Sequence, residues 1–170
     1  MIREYKEKNE LEELVPVIAE IWREYYRPLI GAEQVEYMLE RFQSLDAVMR
    51  QIAGEHYRYF GIFCDGQLAG YYAEQPSGDG RVFLSKFYVA AKFRGRGLGR
   101  QMLDHLIADA RASGADTIWL TVNKQNGTVD IYYKLGFIIT EEIVTDIGSG
   151  FVMDDYKMEK MIGNCTDIIK

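Results

Sequence analysis

The sequence predicts an α/β fold in a single domain over residues 1–170, with a mixed, mostly antiparallel and twisted sheet flanked by helices. Hydrophobic residues recur at helical spacing up to Gly54 and then alternate, so helices precede a run of strands. Farther along, a strand at Val82–Val89, an amphipathic helix and a strand at Thr117–Val122 form a β-α-β crossover. This crossover predicts one locally parallel pair in the centre of the sheet.

The chain is expected to begin with a short strand and a long helix. Residues Ile2–Lys6 alternate weakly and predict the strand. Asn9 is a candidate N-cap, and Glu12 follows it at the spacing of a capping box. Because the residue before a proline disfavours the helical conformation, Pro28 is expected to end this helix near Tyr26.

Two shorter helices are expected next. The first follows Gly31, and its apolar residues fall on one helical face. These residues are Val35, Met38, Leu39 and Phe42. The second runs from Leu45 to about Ile52, and Gly54 closes the helical region.

A hairpin and a third strand come after the helices. Strands at Tyr57–Cys64 and Gln67–Glu74 flank Asp65-Gly66, a strong two-residue hairpin signal. Residues 76–80, which contain Pro, Ser, Gly and Asp, predict a loop. A strand at Arg81–Ala90, rich in β-branched and aromatic residues, then continues the meander.

The second half alternates helices and strands. An amphipathic helix begins near Gly97 and is expected to end at Gly114. The remaining elements are a strand at Thr117–Val122, a short helix at Thr128–Leu135 ended by Gly136, a strand at Phe137–Thr145, a turn at Gly148-Ser149-Gly150 and a strand at Phe151–Met161.

Composition limits the classes of partner. The formal net charge is −6 and the isoelectric point is about 5.0, which argues against nucleic acid and anionic membranes as partners. The same charge could favour a cationic acceptor. The charged N-terminal segment and the absence of a long apolar run predict a cytoplasmic protein without a membrane span.

The cysteines and histidines do not suggest a metal site. Cys64 and Cys165 are far apart and form no CxxC pair, and His56 and His105 stand alone. We therefore expect two reduced thiols and no bound metal.

A glycine-rich segment predicts a pyrophosphate site. Arg94-Gly95-Arg96-Gly97-Leu98-Gly99 lies between a strand and a helix. Unpaired N–H groups at a helix start attract phosphate, and glycines let the backbone approach it closely. Arg94, Arg96 and Arg100 could hold further phosphates. The Rossmann and P-loop patterns both fail here, and the plainer alternative is a surface turn with incidental arginines.

Two motifs resemble the GNAT acetyltransferase superfamily. The first is the stretch from Val89 to Gly99, a strand ending in Val and, after a few residues, the pattern Arg-x-x-Gly-x-Gly, which begins at Arg94. The second is Asn126, followed by Ile131-Tyr132-Tyr133-Lys134-Leu135-Gly136-Phe137. The resemblance covers residues 57–161 and implies the GNAT fold, an acetyl-CoA-dependent N-acetyltransferase and direct transfer to a primary amine.

The resemblance also implies roles for individual residues. The loop would bind the pyrophosphate of acetyl-CoA, the end of the preceding strand would pair with the pantetheine arm beside a bulge, and Asn126 would contact pantetheine. The implied cofactor-binding residues are Phe87, Tyr88, Val89, Arg94, Gly95, Arg96, Gly97, Leu98, Gly99, Arg100, Asn126 and Tyr132. Family members often form homodimers, so a homodimer is an expectation carried by the resemblance alone.

The resemblance assigns a tyrosine as the acid that protonates the departing thiolate. Counting back from the Leu-Gly-Phe motif selects Tyr132, whereas counting forward from Asn126 selects Tyr133. We favour Tyr132, because it and Leu135 are neighbours on a short helix that ends at a fixed glycine. A packing role for Tyr132 is the alternative.

The general base is less defined. Many family members carry a Glu on the strand before the loop, but residues 82–87 contain no carboxylate here. Glu74 on the neighbouring strand is the candidate base, and a water chain is the alternative.

The C-terminal region resembles the branch that includes bacterial polyamine acetyltransferases, as does the strand Lys86-Phe87-Tyr88-Val89. Asp154 and Asp155 occupy adjacent strand positions, so at most one faces an acceptor; a solvated acidic edge is the alternative. Tyr25 and Tyr26 could add cation–π contacts to the acceptor. A small cationic amine is the expected acceptor; a protein N-terminus or lysine, and a non-catalytic acyl-CoA sensor, remain alternatives.

Overall fold

The computed structural model describes residues 1–163. Its strands are β1 (Ile2–Tyr5), β2 (Arg58–Cys64), β3 (Gln67–Ser77), β4 (Arg81–Val89), β5 (Thr117–Asn123), β6 (Ile138–Gly148) and β7 (Phe151–Met161). Its α-helices are α1 (Lys8–Ile30), α2 (Ala32–Phe42), α3 (Leu45–Gly54), α4 (Leu98–Ala112) and α5 (Val129–Lys134). Every predicted helix and strand is present, so the α/β class is confirmed.

The sheet has seven strands in the order β1-β2-β3-β4-β5-β7-β6. The predicted parallel pair is confirmed: residues 81–83 of β4 align with residues 117–119 of β5. The pairs β1/β2, β2/β3, β5/β7 and β6/β7 are antiparallel. The sheet is therefore mixed and mostly antiparallel, as expected.

The described chain separates into two compact units. The first contains Met1–Gln75 and Lys86–His105, and the second contains Pro76–Ser85 and the chain from Leu106 onward. A single domain over residues 1–170 stays a prediction. In the first unit, α1 buries a face of Leu11, Leu14, Ile18, Ile21 and Trp22. In the second unit the buried side chains include Leu106, Ile118, Leu120, Phe137 and Met158.

The start of α1 differs from the prediction. The N-cap is Glu7 rather than Asn9, which lies inside the helix. The carboxylate of Glu10 accepts the backbone N–H groups of Glu7 and Lys6, each at 3.0 Å. These bonds satisfy donors that the helix start leaves without partners, so the capping box lies two residues earlier in the chain than predicted.

The end of α1 also differs. The helix continues through Pro28 to Ile30 instead of ending near Tyr26. A proline removes only its own N–H donor, and the next turn is closed by a bond from Gly31 N–H to the Arg27 carbonyl at 3.1 Å. Arg27 also forms an ion pair with Glu36 on α2 at 3.0 Å, which holds the last turn.

The turns between strands follow the predicted chemistry. Asp65 and Gly66 have φ values of 51° and 76°, and Ser149 and Gly150 have values of 55° and 79°. Positive φ at both central residues is typical of the two-residue hairpin. The predicted loop at 76–80 is shorter than expected, because β3 includes Pro76, whose fixed φ suits an extended chain.

Candidate active site

The predicted phosphate loop connects the end of β4 to the start of α4. A short 3-10 turn at Ala91–Phe93 leads into Gly95 and Gly97, whose φ values of 76° and 74° strongly favour glycine. A Cβ built on either glycine meets no atom within 4 Å, so the space beside this backbone is open. Helix α4 begins at Leu98 and directs its N-terminal N–H groups and positive dipole end toward the loop.

The three arginines of the loop are only partly neutralised by carboxylates. Their side chains remain 45%, 51% and 69% exposed, in chain order. The ion pairs are Arg94–Glu24 at 3.7 Å, Arg96–Asp65 at 3.1 Å and Arg100–Asp104 at 3.0 Å. Exposed pairs of this kind are weak, so phosphates could replace the carboxylates at small cost. The three arginines, the unobstructed backbone at the two glycines and the N-terminus of α4 together fit a pyrophosphate group.

The end of β4 lies very close to β3. The amide of Ala90 donates to the carbonyl of Ala69 at 2.9 Å, and a Cβ built on Gly70 would approach the Tyr88 carbonyl oxygen to 2.4 Å. Arg94 Nε donates to the Val89 carbonyl at 3.0 Å, which ties the loop back to the strand. Phe87, Tyr88 and Val89 are half-buried, as a strand end that can accept a ligand requires.

An aromatic cluster holds this strand end against α1. Tyr26 and Tyr88 share a hydroxyl–hydroxyl hydrogen bond of 3.0 Å, and Trp22 Nε1 donates to Tyr71 at the same distance. The guanidinium of Arg94 lies over the ring of Tyr25 at 5.6 Å. Tyr25 and Tyr26 thus contact residues of the loop and of β4, and their use by an acceptor stays a prediction.

The predicted base, Glu74, is a buried residue of β3. It is 1% exposed, and its Oε1 accepts from Arg58 Nη1 on β2 at 2.9 Å. Arg58 also donates from Nε to Glu4 at 3.0 Å. Proton uptake at Oε1 of Glu74 would therefore compete with an ion pair.

The sequence interpretation missed a buried lysine on β4. Lys86 is 5% exposed, and its Nζ lies 4.8 Å and 5.4 Å from the ring centroids of Tyr57 and Tyr59. Its burial lowers the pKa of the ammonium group to about 7. The alternation that places Val82 and Leu84 inside also places Lys86 inside, so the signal was present in the strand pattern.

In the second unit, Asn126 stabilises the turn before α5. Its side chain is buried, and its Oδ1 accepts the N–H of Thr128 at 2.9 Å. Its carbonyl accepts the N–H of Val129 at 3.2 Å. Asn126 therefore has a local role in shaping the turn, and pantetheine binding at this residue stays a prediction.

The two candidate acids differ in exposure. Tyr132 is half-buried and packs edge-on against the buried ring of Phe137, with ring centroids 5.7 Å apart. Its carbonyl accepts the N–H groups of Leu135 and Phe137 at 3.1 Å and 3.0 Å. Tyr133, by contrast, is 47% exposed. Packing fixes the orientation of Tyr132 and leaves Tyr133 on the surface.

Asp154 and Asp155 are in different environments. Asp154 is exposed and pairs with Lys124 at 2.7 Å, as the solvated-edge alternative expects. For Asp155 that alternative is wrong, because the residue is only 4% exposed. Burial of Asp155, together with repulsion from Asp154, raises the pKa of its carboxyl group to about 6.

Several absences concern only the described part of the chain. Within residues 1–163, none of the helices is both long enough and apolar enough to cross a membrane. The same residues contain no group of His, Cys, Asp and Glu side chains placed to hold a metal ion. Cys64 is a free, half-buried thiol, and Cys165 lies outside the described residues.

Comparison with known proteins identifies the family. The profile of the acetyltransferase (GNAT) family matches residues 15–137, which is most of the chain and includes both predicted motifs. The chain belongs to the GNAT acetyltransferase family. It is therefore an acetyltransferase with acetyl-CoA as its cosubstrate, and the alternative of a non-catalytic sensor is set aside.

Two curated GNAT relatives differ in their acceptors. The chain is 31% identical over 110 residues to the ribosomal protein bS18 alanine N-acetyltransferase of Salmonella typhimurium, a match that covers 64% of this chain and 74% of the relative. It is 30% identical over 97 residues to the spermine/spermidine N(1)-acetyltransferase of Bacillus subtilis, covering 52% and 64%. These names do not fix the acceptor of the present GNAT protein.

A solved structure confirms the GNAT fold. The PaiA N-acetyltransferase of Thermoplasma acidophilum, in complex with coenzyme A, aligns with a TM-score of 0.78 and 23% identity. The alignment covers 95% of this chain and 99% of that protein. The expected fold is therefore shared with this protein over almost the full length of both chains.

Proposed function

We propose that this GNAT protein transfers the acetyl group of acetyl-CoA directly to a primary amine, and that the acceptor is a small cationic amine, with a polyamine the leading candidate. A cytoplasmic location and action as a homodimer are part of the same expectation. Acetyl-CoA supplies the reactive thioester. The residues of the chain would bind it, orient the amine and move protons.

The loop at Arg94–Arg100 is the proposed binding site for the pyrophosphate. Support comes from the positive φ of Gly95 and Gly97, the open space beside them and the start of α4 at Leu98. The backbone of residues 87–89 is the proposed pairing edge for pantetheine, and Asn126 a further proposed contact.

Tyr132 is the proposed acid. Its ring packs against Phe137 and its backbone closes the turn that ends α5, which restrains the ring that carries the hydroxyl. A hydroxyl on a restrained ring suits proton donation to the sulfur that leaves when the thioester is cleaved. Glu74 remains the base predicted from the sequence, although its ion pair with Arg58 competes with that role.

A concentration of carboxylates carries the proposal for a cationic acceptor. Asp154 and Glu142 contact the single ammonium group of Lys124 at 2.7 Å and 2.9 Å, and Asp155 lies beside Asp154 in β7. Two exposed carboxylates thus contact one lysine, which leaves an excess of negative charge at the surface, and Asp155 adds a third carboxylate that is buried. Such a surface attracts an amine that carries more than one positive charge.

A protein N-terminus is the second candidate acceptor. The observation that favours it is the similarity to the bS18 alanine N-acetyltransferase of Salmonella typhimurium, which covers more of the chain than the polyamine relative does. An N-terminal alanine presents one ammonium group rather than several. The two candidates therefore differ in how strongly salt should affect them.

A screen of acceptors tests the proposal. Thiol release from acetyl-CoA would be measured with spermidine, a neutral amino-acid amide and a peptide with N-terminal alanine, at low and at high ionic strength. Spermidine should give the highest kcat/KM at low salt, and its advantage should shrink as screening sets in over about 10 Å at 0.1 M salt. Turnover of spermidine no faster than that of the neutral amide would reject the polyamine, and faster turnover of the peptide would select the N-terminus.

A further inference from the structure

Asp155 occupies an unusual position for a charged residue. It lies in β7 between two strands, opposite Asn123 of β5 and Ile143 of β6. The residue is 4% exposed, and its Oδ1 is buried without a hydrogen-bond partner. Buried polar atoms in proteins nearly always have a partner, so this oxygen needs an explanation.

The local cation does not supply that partner. Lys124 directs its ammonium group to Asp154 and Glu142, so two of its three N–H donors already serve other carboxylates. Lys124 still lowers the pKa of Asp155, but burial and the charge of Asp154 outweigh it. The other charged residues on these elements are Asp154, Lys157, Glu159 and Lys160 on β7, Lys124 after β5, and Glu141, Glu142 and Asp146 on β6.

We propose that Asp155 binds the ammonium group of the acceptor through its unpartnered oxygen and accepts a proton from it. This inference rests on the proposed function, since it names the base for the same amine transfer. An ammonium group would complete the hydrogen bonding of Oδ1 and neutralise the buried charge. Burial of the ammonium group lowers its pKa. The pKa of the proton donor then lies closer to that of the carboxylate that accepts the proton.

The proton and bond changes balance as follows. Asp155 takes one proton from the ammonium group, and the freed lone pair forms the new N–C bond to the acetyl carbonyl carbon. The C–S bond breaks with its electron pair on sulfur, and Tyr132 provides the proton that sulfur gains. The nitrogen sheds a second proton, which restores the hydroxyl of Tyr132. The proton on Asp155 is then released to water, so the reaction yields one amide, one thiol and one proton.

Asp155 fits this role better than Glu74 does. Oε1 of Glu74 accepts from the cationic Arg58 at 2.9 Å, which favours the charged form of that carboxylate, whereas the lysine near Asp155, Lys124, contacts Asp154 and Glu142. A base is most effective when its pKa lies near the working pH, and the pKa of Asp155, at about 6, meets that condition.

The test compares Asp155→Asn with Asp146→Asn, which changes an exposed aspartate on the neighbouring strand β6. The best acceptor of the screen would be used, and kcat/KM would be measured from pH 5 to pH 8. Asp155→Asn should lower kcat/KM by about 10²-fold or more and remove the fall in rate below about pH 6. Asp146→Asn should keep both the rate, within about threefold, and the pH profile. Calorimetry should show unchanged acetyl-CoA affinity in both variants.

A readout without acceptor comes from unfolding. Removing a buried charge should make Asp155→Asn more stable than the wild type at pH 8, and the difference should close as pH falls from about 6 toward the ordinary value of 3.8. An Asp155→Asn rate within about threefold of wild type, or a loss of folding and acetyl-CoA affinity with an unchanged acid limb, would overturn the role of Asp155. A screen without preference for cationic amines would reject the polyamine alone, because the variant comparison uses whichever acceptor is best.

Discussion

The close approach of β3 to the end of β4 predicts a specific effect of Gly70→Ala. The added Cβ would lie 2.4 Å from the Tyr88 carbonyl oxygen and 3.0 Å from Val89 Cα. Both are backbone atoms, so neither can move away by a simple side-chain rotation. The collision falls on the strand segment that is the proposed pairing edge for pantetheine.

The size of the effect follows from the distances. Carbon–oxygen contacts between strands are normally about 3.3–3.6 Å, so β4 would have to retreat by about 1 Å. That movement would stretch the Ala90–Ala69 hydrogen bond, now 2.9 Å, beyond the normal range. Overpacking of this kind costs about 1–3 kcal/mol. For a chain of this length, each kcal/mol lowers Tm by about 2–4 °C.

The assay separates stability from site geometry with two control glycines. Gly54→Ala on α3 meets no atom within 4 Å and should leave Tm unchanged or slightly higher. Gly61→Ala would press on the Tyr5 ring at 2.6 Å and should lower Tm without weakening acetyl-CoA binding. Gly70→Ala should do both, with acetyl-CoA affinity reduced about tenfold by calorimetry. A Gly70→Ala protein with Tm within about 1 °C of wild type and normal affinity would refute the reasoning.

Three further predictions use single substitutions. Gly97→Val should weaken acetyl-CoA binding at least about tenfold by calorimetry, because valine strongly disfavours a φ of 74° and its side chain would fill the space beside the loop. Tyr132→Phe should lower kcat about 10²-fold with little change in acetyl-CoA affinity, whereas Tyr133→Phe should be near normal; the reverse pattern would assign the acid to Tyr133. Because burial lowers the pKa of Lys86 to about 7, the unfolded chain binds more protons above that pH, and stability should rise with pH from about 7 toward 10.5. Lys86→Met should flatten that rise in urea unfolding at pH 7 and pH 9.

Local sequence signals predicted most elements of the fold. The hairpin at Asp65-Gly66 was predictable because the positive φ angles that it needs restrict the residues that can stand there. The helix boundaries around Asn9 and Pro28 were wrong for a related reason. A cap or a proline has a modest local effect, and hydrogen bonds to Glu10 or an ion pair with Glu36 can move the boundary by several residues.

Burial of single polar residues was harder to predict. Alternation alone indicates that Asp154 and Asp155 point to opposite faces, but it does not say which face is covered. Whether each aspartate is buried depends on the surroundings of β7 in the folded chain, and its neighbouring strands lie at distant positions, 117–123 and 138–148. Lys86 shows the same difficulty, since the rings that surround it belong to β2 and the residue before it.

The search for a base shows why strand order matters for function. Because β4 carries no carboxylate, chain order points to β3, the strand before it, and so to Glu74. The sheet, however, inserts β7 between β5 and β6, so the last strand within residues 1–163 lies beside β5. Asp155 pairs there with Asn123, only three residues before Asn126. Asp155, which the sequence alone would place at an exposed edge near the C-terminus, therefore belongs to the same compact unit as the proposed acid, Tyr132. In an out-of-order sheet, candidate catalytic partners have to be sought among strands that are neighbours in space, whatever their separation in sequence.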